Sequence, residues 1–193
     1  MPRPTREFQD DGIYHVLNRG NGRQRVFQKD GDYLAFLKLL AETKEQYGIT
    51  LYAYCLMPNH FHLLLKARQG EELSPAMQWF QTTHVRRYHQ HYHSSGHLWQ
   101  GRFKSFDVQG DEYFLTVARY IEGNPVRAGL VETAVNWVWS SHRGRCRLQK
   151  DVLFEPLPVP WVGDWTAYVD TPLTPSELAK VRNKKQPKHV VVP

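Results

Sequence analysis

Hydrophobic residues alternate with polar ones along several short stretches of the chain and recur at helical spacing along longer ones. Four short stretches are rich in aliphatic, aromatic or β-branched residues, which is typical of strands. These predicted strands are residues 13–17, 50–56, 60–67 and 103–108. Three longer stretches carry apolar side chains three or four positions apart, which predicts helices. They are residues 30–47, 74 to about 90 and 112 to about 123.

Turn and capping residues mark the ends of these elements. A basic, glycine-rich loop is predicted over residues 18–25, and Gly48 is predicted to stop the first helix. Ser74 is predicted as the N-cap of the second helix, with Pro75 at its first position. The turn at residues 57–59 joins the second and third strands into a hairpin.

The order of the elements predicts an α+β fold. Strand-helix-strand-strand-helix-strand is the ferredoxin-like order, a four-stranded antiparallel sheet with helices packed on it. The third helix is an addition to that core and is free to lie across the sheet. We expect one catalytic domain over residues 1–130. A C-terminal extension, residues 131–193, is expected to pack on or beside it and to end in a mobile basic tail around Lys184 and Lys185.

Composition and charge limit the classes of protein and of partner that fit this sequence. A chain of 193 residues with 41% hydrophobic residues can bury a sizeable core. Lys and Arg outnumber Asp and Glu by 25 to 19, which favours a polyanionic partner. Cys55 and Cys146 form no metal-type pair and are interpreted as reduced thiols. With neither a signal sequence nor a long apolar span in the sequence, we expect a cytoplasmic protein without a membrane partner.

Two histidines flank one apolar residue in the third predicted strand. Side chains two positions apart leave the same face of a strand, so His60 and His62 point together while Phe61 turns into the core. Two adjacent imidazoles can hold one face of a divalent metal ion. The pattern alone is a weak signal, because two half-exposed strand histidines without a ligand would look the same.

The third predicted helix carries a second candidate group. Tyr120 and Asn124 are four residues apart and therefore share a helical face. Pro125 places Asn124 at the end of the helix, where its amide oxygen can reach away from the axis. An amide oxygen suits a hard ion such as Mg²⁺ or Mn²⁺. A metal that polarises a phosphate beside an attacking tyrosine is the layout of covalent phosphoryl transfer.

Other residues compete for these roles. Tyr113 lies on roughly the same helical face as Tyr120 and is an alternative nucleophile, although only Tyr120 has Asn124 one turn later. Glu122 can bind metal, but its side chain leaves a different face of the helix from that of Tyr120. We expect it either to be solvated or to contact the metal ligands without touching the metal itself. His89 and His93 have a zinc-compatible spacing without a cysteine or acidic partner nearby, so a polar helix end near a nucleic acid is preferred.

Two sequence segments together resemble a known family. His60-Phe61-His62, followed by Tyr120-Ile121-Glu122-Gly123-Asn124-Pro125-Val126-Arg127, resembles the single-tyrosine HUH transposases, and more narrowly the REP-associated tyrosine transposases of bacteria. Tyr14-His15-Val16, Arg19-Gly20-Asn21 and Leu98-Trp99-Gln100-Gly101-Arg102-Phe103 resemble further segments of that family. The similarity runs over about residues 14–130.

The resemblance implies a function and a set of roles. His60, His62 and Asn124 would bind Mg²⁺ or Mn²⁺, and Tyr120 would attack a phosphate of single-stranded DNA. The product would be a 5′-phosphotyrosine link and a free 3′-hydroxyl, formed at a hairpin with a flanking guide sequence. Relatives favour a monomer, with a dimer possible. The alternatives are a catalytically idle protein that binds DNA hairpins, and an RNA-binding module that uses the exposed sheet.

Basic and aromatic residues supply candidate contacts to nucleic acid. Arginine and lysine side chains hold phosphates, and exposed aromatic rings stack on unpaired bases. The candidates are Arg19, Arg23, Arg25, Arg86, Arg87, Trp99, Arg102, Phe103, Lys104 and Arg127. Trp99 and Phe103 are interpreted either as stacking residues or as core residues, with equal weight.

Overall fold

The computed structural model describes residues 7–148 and 153–182. The strands are β1 (Gly12–Arg19), β2 (Ile49–Met57), β3 (His60–Ala67) and β4 (Lys104–Asp107). The helices are α1 (Asp30–Tyr47), α2 (Gly70–Tyr92), α3 (Asp111–Glu122), α4 (Asn124–Arg127), α5 (Ser141–Arg145), α6 (Trp165–Asp170) and α7 (Pro175–Arg182). Short 3-10 turns occur at Asn21–Arg23 and Ala134–Asn136. Lys184 and Lys185, predicted to lie in a basic tail, are outside the described residues.

The four strands form one antiparallel sheet in the order β2-β3-β1-β4. This order, with α1 and α2 as the two connecting helices, confirms the ferredoxin-like prediction. Strand β3 is central, and its pairing places Leu17 opposite His62 and Arg19 opposite His60. Directly paired residues share a face of the sheet, so the two histidines lie on the same side as Leu17 and Arg19.

One face of the sheet packs against α1 and α2. Its core includes Val16, Phe61 and Leu63 from the strands, with Phe36 from α1 and Phe80 from α2, all of them fully buried. These strand residues alternate with the histidine positions, as a period of two requires. The hydrophobic burial that fixes Phe61 therefore also fixes which face carries His60 and His62, because a one-residue slip would reverse both.

The opposite face is covered by α3 and by the C-terminal extension. Val117 and Ile121 of α3 pack with Cys55 and Leu64 of the sheet, and Val169 of α6 joins the same cluster. The apolar residues of α3 line one side of the helix, so the helix lies flat on the sheet. Helix α3 thus crosses the face that carries the two histidines.

Backbone and side-chain hydrogen bonds attach the extension to strand β2. The Nε1 atom of Trp137 donates to the carbonyl oxygen of Leu56 at 3.0 Å. The backbone nitrogen of Glu155 donates to the carbonyl oxygen of Leu51 at 2.7 Å. The extension therefore packs on the predicted 1–130 unit and shares the apolar cluster between the sheet and α3. The boundary at residue 130 stays a prediction.

Two of the differences between the predicted and the observed element ends have an identifiable cause. Strand β1 runs to Arg19, into the predicted loop, because its pairing with β3 continues as far as His60. Helix α2 begins at Gly70 and not at Ser74. The carboxylate of Asp10 accepts a hydrogen bond from the backbone nitrogen of Gly70 at 2.8 Å, which caps the earlier start, and Pro75 lies inside the helix.

The length and hydrophobicity of the helices bear on the expectation that the protein has no membrane partner. Within the described part of the chain, no helix combines the length and the apolar character needed to cross a bilayer.

Candidate functional site

Helix α3 brings Tyr120 over the two histidines, and the start of α4 brings Asn124 beside them. The ring of Tyr120 lies 5.8 Å from the ring of His62, centroid to centroid, and the rings of His60 and His62 are 5.1 Å apart. Asn124 begins α4 directly beyond the end of α3, and its Nδ2 atom lies 3.4 Å from Nε2 of His60. The structure thus brings together four residues that are up to 64 positions apart in sequence.

These groups line one cavity of about 480 Å³. Its wall combines sheet residues, the end of α3 and the end of α7. The lining residues are His15, Leu17, Arg19, His60, His62, Lys104, Phe106, Tyr120, Asn124, Arg127, Ala128, Val181 and Arg182. Four of them are arginine or lysine, so the cavity suits an anionic ligand.

Each of the two histidines is held through its Nδ1 atom. Nδ1 of His62 lies 2.8 Å from Nε2 of His15, and Nδ1 of His60 lies 2.7 Å from Oδ1 of Asn59. The Asn59 amide is oriented by its Nδ2 atom, which donates to the carbonyl oxygen of Arg23 at 3.1 Å. When the Nδ1 atoms carry the protons, the Nε2 lone pair of each histidine is available to an ion.

Burial keeps all three imidazoles neutral at pH 7. It lowers the pKa of His15 to about 3, and burial together with the charge of Arg19 lowers the pKa of His60 to about 4. The pKa of His62 is also held well below its usual value, by burial first and then by the neighbouring His15 and His60. A neutral imidazole is the form that binds metal.

The available ligand atoms are two imidazole nitrogens and one amide oxygen. No group of three His, Cys, Asp or Glu residues with a metal-binding arrangement occurs within 7–148 and 153–182. A third protein ligand at this cavity would therefore be of another type, and the amide of Asn124 lies within reach of Nε2 of His60. Turning its amide over would present Oδ1 in place of Nδ2, and an amide oxygen is a ligand of the type that Mn²⁺ and Mg²⁺ prefer.

Arg127 fixes the ring of Tyr120. Its guanidinium carbon lies 4.1 Å from the centroid of that ring, and one of its nitrogens donates to the carbonyl oxygen of Tyr120. Tyr113, the competing tyrosine, does not line the cavity, and its hydroxyl lies 3.5 Å from the carbonyl oxygen of Lys180. Of these two tyrosines, the structure places Tyr120 at the histidines.

Glu122 is not solvated, which corrects one of the two roles expected for it. Its carboxylate is fully buried and accepts hydrogen bonds from Ser141 at 2.6 Å, His142 at 3.0 Å, Arg145 at 3.1 Å and the indole of Trp165 at 2.7 Å. Burial would raise the pKa of Glu122, but Arg145, His142 and Ser141 outweigh it and lower that pKa to about 2. The charged carboxylate therefore joins the end of α3 to α5 and α6.

The predicted phosphate contacts fall into three groups. Arg19, Lys104 and Arg127 line the histidine cavity. The second group is exposed away from its wall and comprises Arg23, Arg25, Arg86 and Arg102. Arg87, also exposed, forms an ion pair with Glu42 at 3.1 Å, so its charge is already partly compensated.

The structure resolves the two interpretations of Trp99 and Phe103 in favour of the core. Their exposed fractions are 6% and 4%, and both pack in the cluster between the sheet and the two connecting helices. The ring of Trp99 meets that of Phe61 edge-on at 5.3 Å. In this conformation each ring is packed on protein atoms and is not free to stack on an unpaired base, and a role of these residues in DNA binding stays a prediction.

The zinc alternative at the end of α2 gains no support. Nδ1 of His89 lies 2.9 Å from the hydroxyl of Ser94, and its Nε2 lies 3.0 Å from the carbonyl oxygen of Gly96. Both ring nitrogens are thus engaged with protein groups. His93 ends the helix in the left-handed conformation, with φ of 47°.

Sequence reasoning missed His15 and the contribution of α7. His15 shares a strand face with Leu17 and Arg19, which alternation alone indicates, but its contact with His62 depends on the register of β1 against β3. Val181 and Arg182 reach the cavity because α7 packs beside α3. No local pattern in the sequence predicts that packing.

A ferredoxin-like sheet that carries two histidines beneath a tyrosine helix is typical of the single-tyrosine HUH class of transposases. The family model described as "Transposase IS200 like" matches residues 9–124. The chain therefore belongs to this transposase family, which confirms the predicted resemblance.

Individual relatives agree with this assignment. The chain is 27% identical over 176 residues to a putative REP-associated tyrosine transposase of Haemophilus influenzae, covering 85% of this chain and 95% of the relative. It is 21% identical over 155 residues to the REP-associated tyrosine transposase of Escherichia coli, covering 80% and 87%. A solved REP-associated tyrosine transposase bound to a REP hairpin has the same fold, with a TM-score of 0.61, 21% identity, and coverage of 86% of this chain and 94% of that one.

Proposed function

We propose that this chain cleaves and rejoins single-stranded DNA at hairpin-forming repeats through a 5′-phosphotyrosine intermediate. The observation that carries the proposal is the position of Tyr120. Its ring lies 5.8 Å from that of His62, in the cavity where Asn124 approaches His60. A nucleophile beside candidate metal ligands is what phosphoryl transfer to a protein side chain needs.

Hairpin DNA is the substrate that the relatives favour. Two similar proteins are named REP-associated tyrosine transposases, and the solved relative is described as bound to a REP hairpin. Arg19, Lys104 and Arg127 around the cavity supply the positive charge that a phosphate backbone requires. These residues would place the scissile phosphate against Tyr120.

The residues present fit a bound Mg²⁺ or Mn²⁺ ion. His60 and His62 would hold it through their Nε2 atoms, and Asn124 through its amide oxygen. Such an ion, when bound, withdraws charge from the phosphate oxygens and stabilises the negative charge that develops on them. His15 and Asn59 keep the two imidazoles oriented for that role through the contacts at their Nδ1 atoms.

Tyr120 performs the bond exchange. Its phenol loses a proton as its oxygen bonds to phosphorus, the bond from phosphorus to the 3′ oxygen breaks, and that oxygen takes up a proton. Arg127 holds the ring by its contact at 4.1 Å and attracts the phosphate to the same place. Because the phosphotyrosine conserves the bond energy, attack by a 3′-hydroxyl can later reverse the step without ATP.

One chain contains every group that the proposal uses. Tyr120 lies against the histidines of its own chain, so the active site does not require a second copy. We therefore propose that the functional unit is a monomer.

The proposal is tested with a labelled pool of single-stranded DNA hairpins that have randomised flanks. We expect adducts that survive denaturing electrophoresis in Mn²⁺ or Mg²⁺ and disappear in EDTA, and we expect Asn124→Ala to need more metal for the same yield. Tight hairpin binding without an adduct in either metal would instead support the catalytically idle alternative. A preference for RNA hairpins over DNA hairpins would support the RNA-binding alternative.

A further inference from the structure

A cysteine, a histidine and a glutamate form a chain of contacts where α3 meets α5. Sγ of Cys146 lies 3.5 Å from Nε2 of His142, and Nδ1 of His142 lies 3.0 Å from Oε2 of Glu122. Cys146 directly follows α5, His142 lies within it, and Glu122 ends α3. A carboxylate that orients a base, which in turn contacts a thiol, is the arrangement that activates nucleophiles in enzymes.

The carboxylate of Glu122 decides which nitrogen of His142 carries a proton. A carboxylate can only accept, so Nδ1 of His142 donates to it and Nε2 is left with its lone pair. The thiol of Cys146 therefore donates to Nε2 and can pass its proton to that nitrogen. The imidazolium formed in this way would lie between two negative groups, the Glu122 carboxylate and the thiolate, and both stabilise it.

A hydroxyl group on α6 makes a second polar contact with the sulfur. Oγ1 of Thr166 lies 3.1 Å from Sγ of Cys146. Because the single thiol proton is directed to His142, the Thr166 hydroxyl is the donor in this contact and the sulfur is the acceptor. A hydrogen bond donated to the sulfur favours negative charge on it. His142 and Thr166 thus act on the same atom from two different helices.

The two cysteines of the chain differ in their access to small reagents. Cys55 is fully buried, and burial raises the pKa of its thiol, so it stays protonated and inert. Cys146 is partly exposed. Arg143 and Arg147 lie within three residues of Cys146, and neither takes part in an ion pair between described residues. Positive charge near a partly exposed thiol is typical of reactive cysteines.

We propose that Cys146 is a site of oxidation by hydrogen peroxide and other small hydroperoxides, with His142 and Thr166 as the groups that activate its sulfur. The thiol proton moves to His142, the sulfur bonds to one oxygen of the peroxide, and the O–O bond breaks. The leaving oxygen takes the proton from His142, so the sulfur is oxidised to a sulfenic acid and hydrogen peroxide is reduced to water. This site goes beyond the proposed DNA chemistry, because none of its residues lines the Tyr120 cavity.

The test is to expose the full chain to hydrogen peroxide with dimedone, which traps sulfenic acids, and to measure the labelling rate at each cysteine by peptide mass spectrometry. His142→Asn keeps a donor for Glu122 and removes the nitrogen that accepts the thiol proton. Thr166→Val removes the hydroxyl at nearly constant volume, and it serves if His142→Asn fails to fold. Thr171→Val is the matched control at the end of the same helix, where the hydroxyl donates to the carbonyl oxygen of Ala167 at 2.7 Å.

In the unmodified chain and in Thr171→Val, we expect dimedone to label Cys146 at least about tenfold faster than Cys55. His142→Asn should slow the labelling of Cys146 by about tenfold or more, because the base is lost. Thr166→Val should slow it about fivefold, the effect of one neutral hydrogen bond. Equal rates at the two cysteines, an unchanged rate at Cys146 in either His142→Asn or Thr166→Val, or an equal loss in Thr166→Val and Thr171→Val would overturn the site.

Discussion

Nε2 of His15 lies 2.8 Å from Nδ1 of His62, and both side chains are buried. One of the two nitrogens must carry the proton of this hydrogen bond. A metal ion on Nε2 of His62 requires that proton on Nδ1, with His15 as the acceptor. His15 is therefore a positioning residue in our account, since it selects the tautomer of His62 and holds its ring.

His15→Leu is predicted to raise the metal concentration for half-maximal adduct formation by about 10–100-fold. His15→Gln should recover most of this loss, because a glutamine amide oxygen can accept near the position of Nε2. A metal titration of the adduct yield measures the effect. If His15 only filled space, the half-saturating concentration would stay the same in all three proteins.

Arg19 and Arg87 are both exposed arginines, but the structure gives them different roles. Arg19→Ala is predicted to lower DNA affinity and to reduce the slope of log affinity against log salt by about 1, as expected for one lost phosphate contact. Arg87→Ala should leave that slope unchanged, because Arg87 pairs with Glu42 at 3.1 Å and lies away from the Tyr120 cavity. Equal slopes for the two variants would contradict this assignment.

Glu122 should stabilise the fold in its charged form. Its pKa is lowered to about 2 in the folded chain, so its contribution is present above the pKa of an unfolded glutamate and is lost as the pH falls towards 2. We expect Glu122→Gln to reduce the free energy of unfolding at pH 7 by about 3 kcal/mol.

The difference in the free energy of unfolding between Glu122→Gln and the unmodified chain should shrink as the pH falls from about 4.5 to about 2. Denaturant unfolding at several pH values measures it. The exposed Glu132 provides the control, and Glu132→Gln should change the free energy by less than about 0.5 kcal/mol. A pH-independent difference would show that the carboxylate charge is not the source of the stability.

Local periodicity made half of the candidate site predictable. Strand alternation placed His60 and His62 on one face, and helical spacing placed Tyr120 and Asn124 on another. Both statements concern residues at most four positions apart, for which the geometry of the helix or strand alone fixes the directions of the side chains. The order of strands and helices then indicated the sheet on which they meet.

The remaining parts depend on contacts between distant segments. His15 meets His62 across 47 positions, and Glu122 meets Trp165 across 43. Trp99 was equally compatible with stacking and with the core, and only the packing of Phe61 and Phe36 against its ring decided between them. Register and helix docking are set by the whole core, so the sequence pattern of a single segment did not contain them.

The central claim is that Tyr120 is the nucleophile, and peptide mapping of the covalent adduct tests it most directly. The hairpin pool is incubated with the unmodified chain, Tyr120→Phe and Tyr113→Phe in Mn²⁺, and the nuclease-trimmed adduct is located by mass spectrometry. We predict a nucleotide on Tyr120 in the unmodified chain and in Tyr113→Phe, and no adduct in Tyr120→Phe, which still binds the hairpin. An adduct that persists in Tyr120→Phe, or one that maps to Tyr113, would contradict the account.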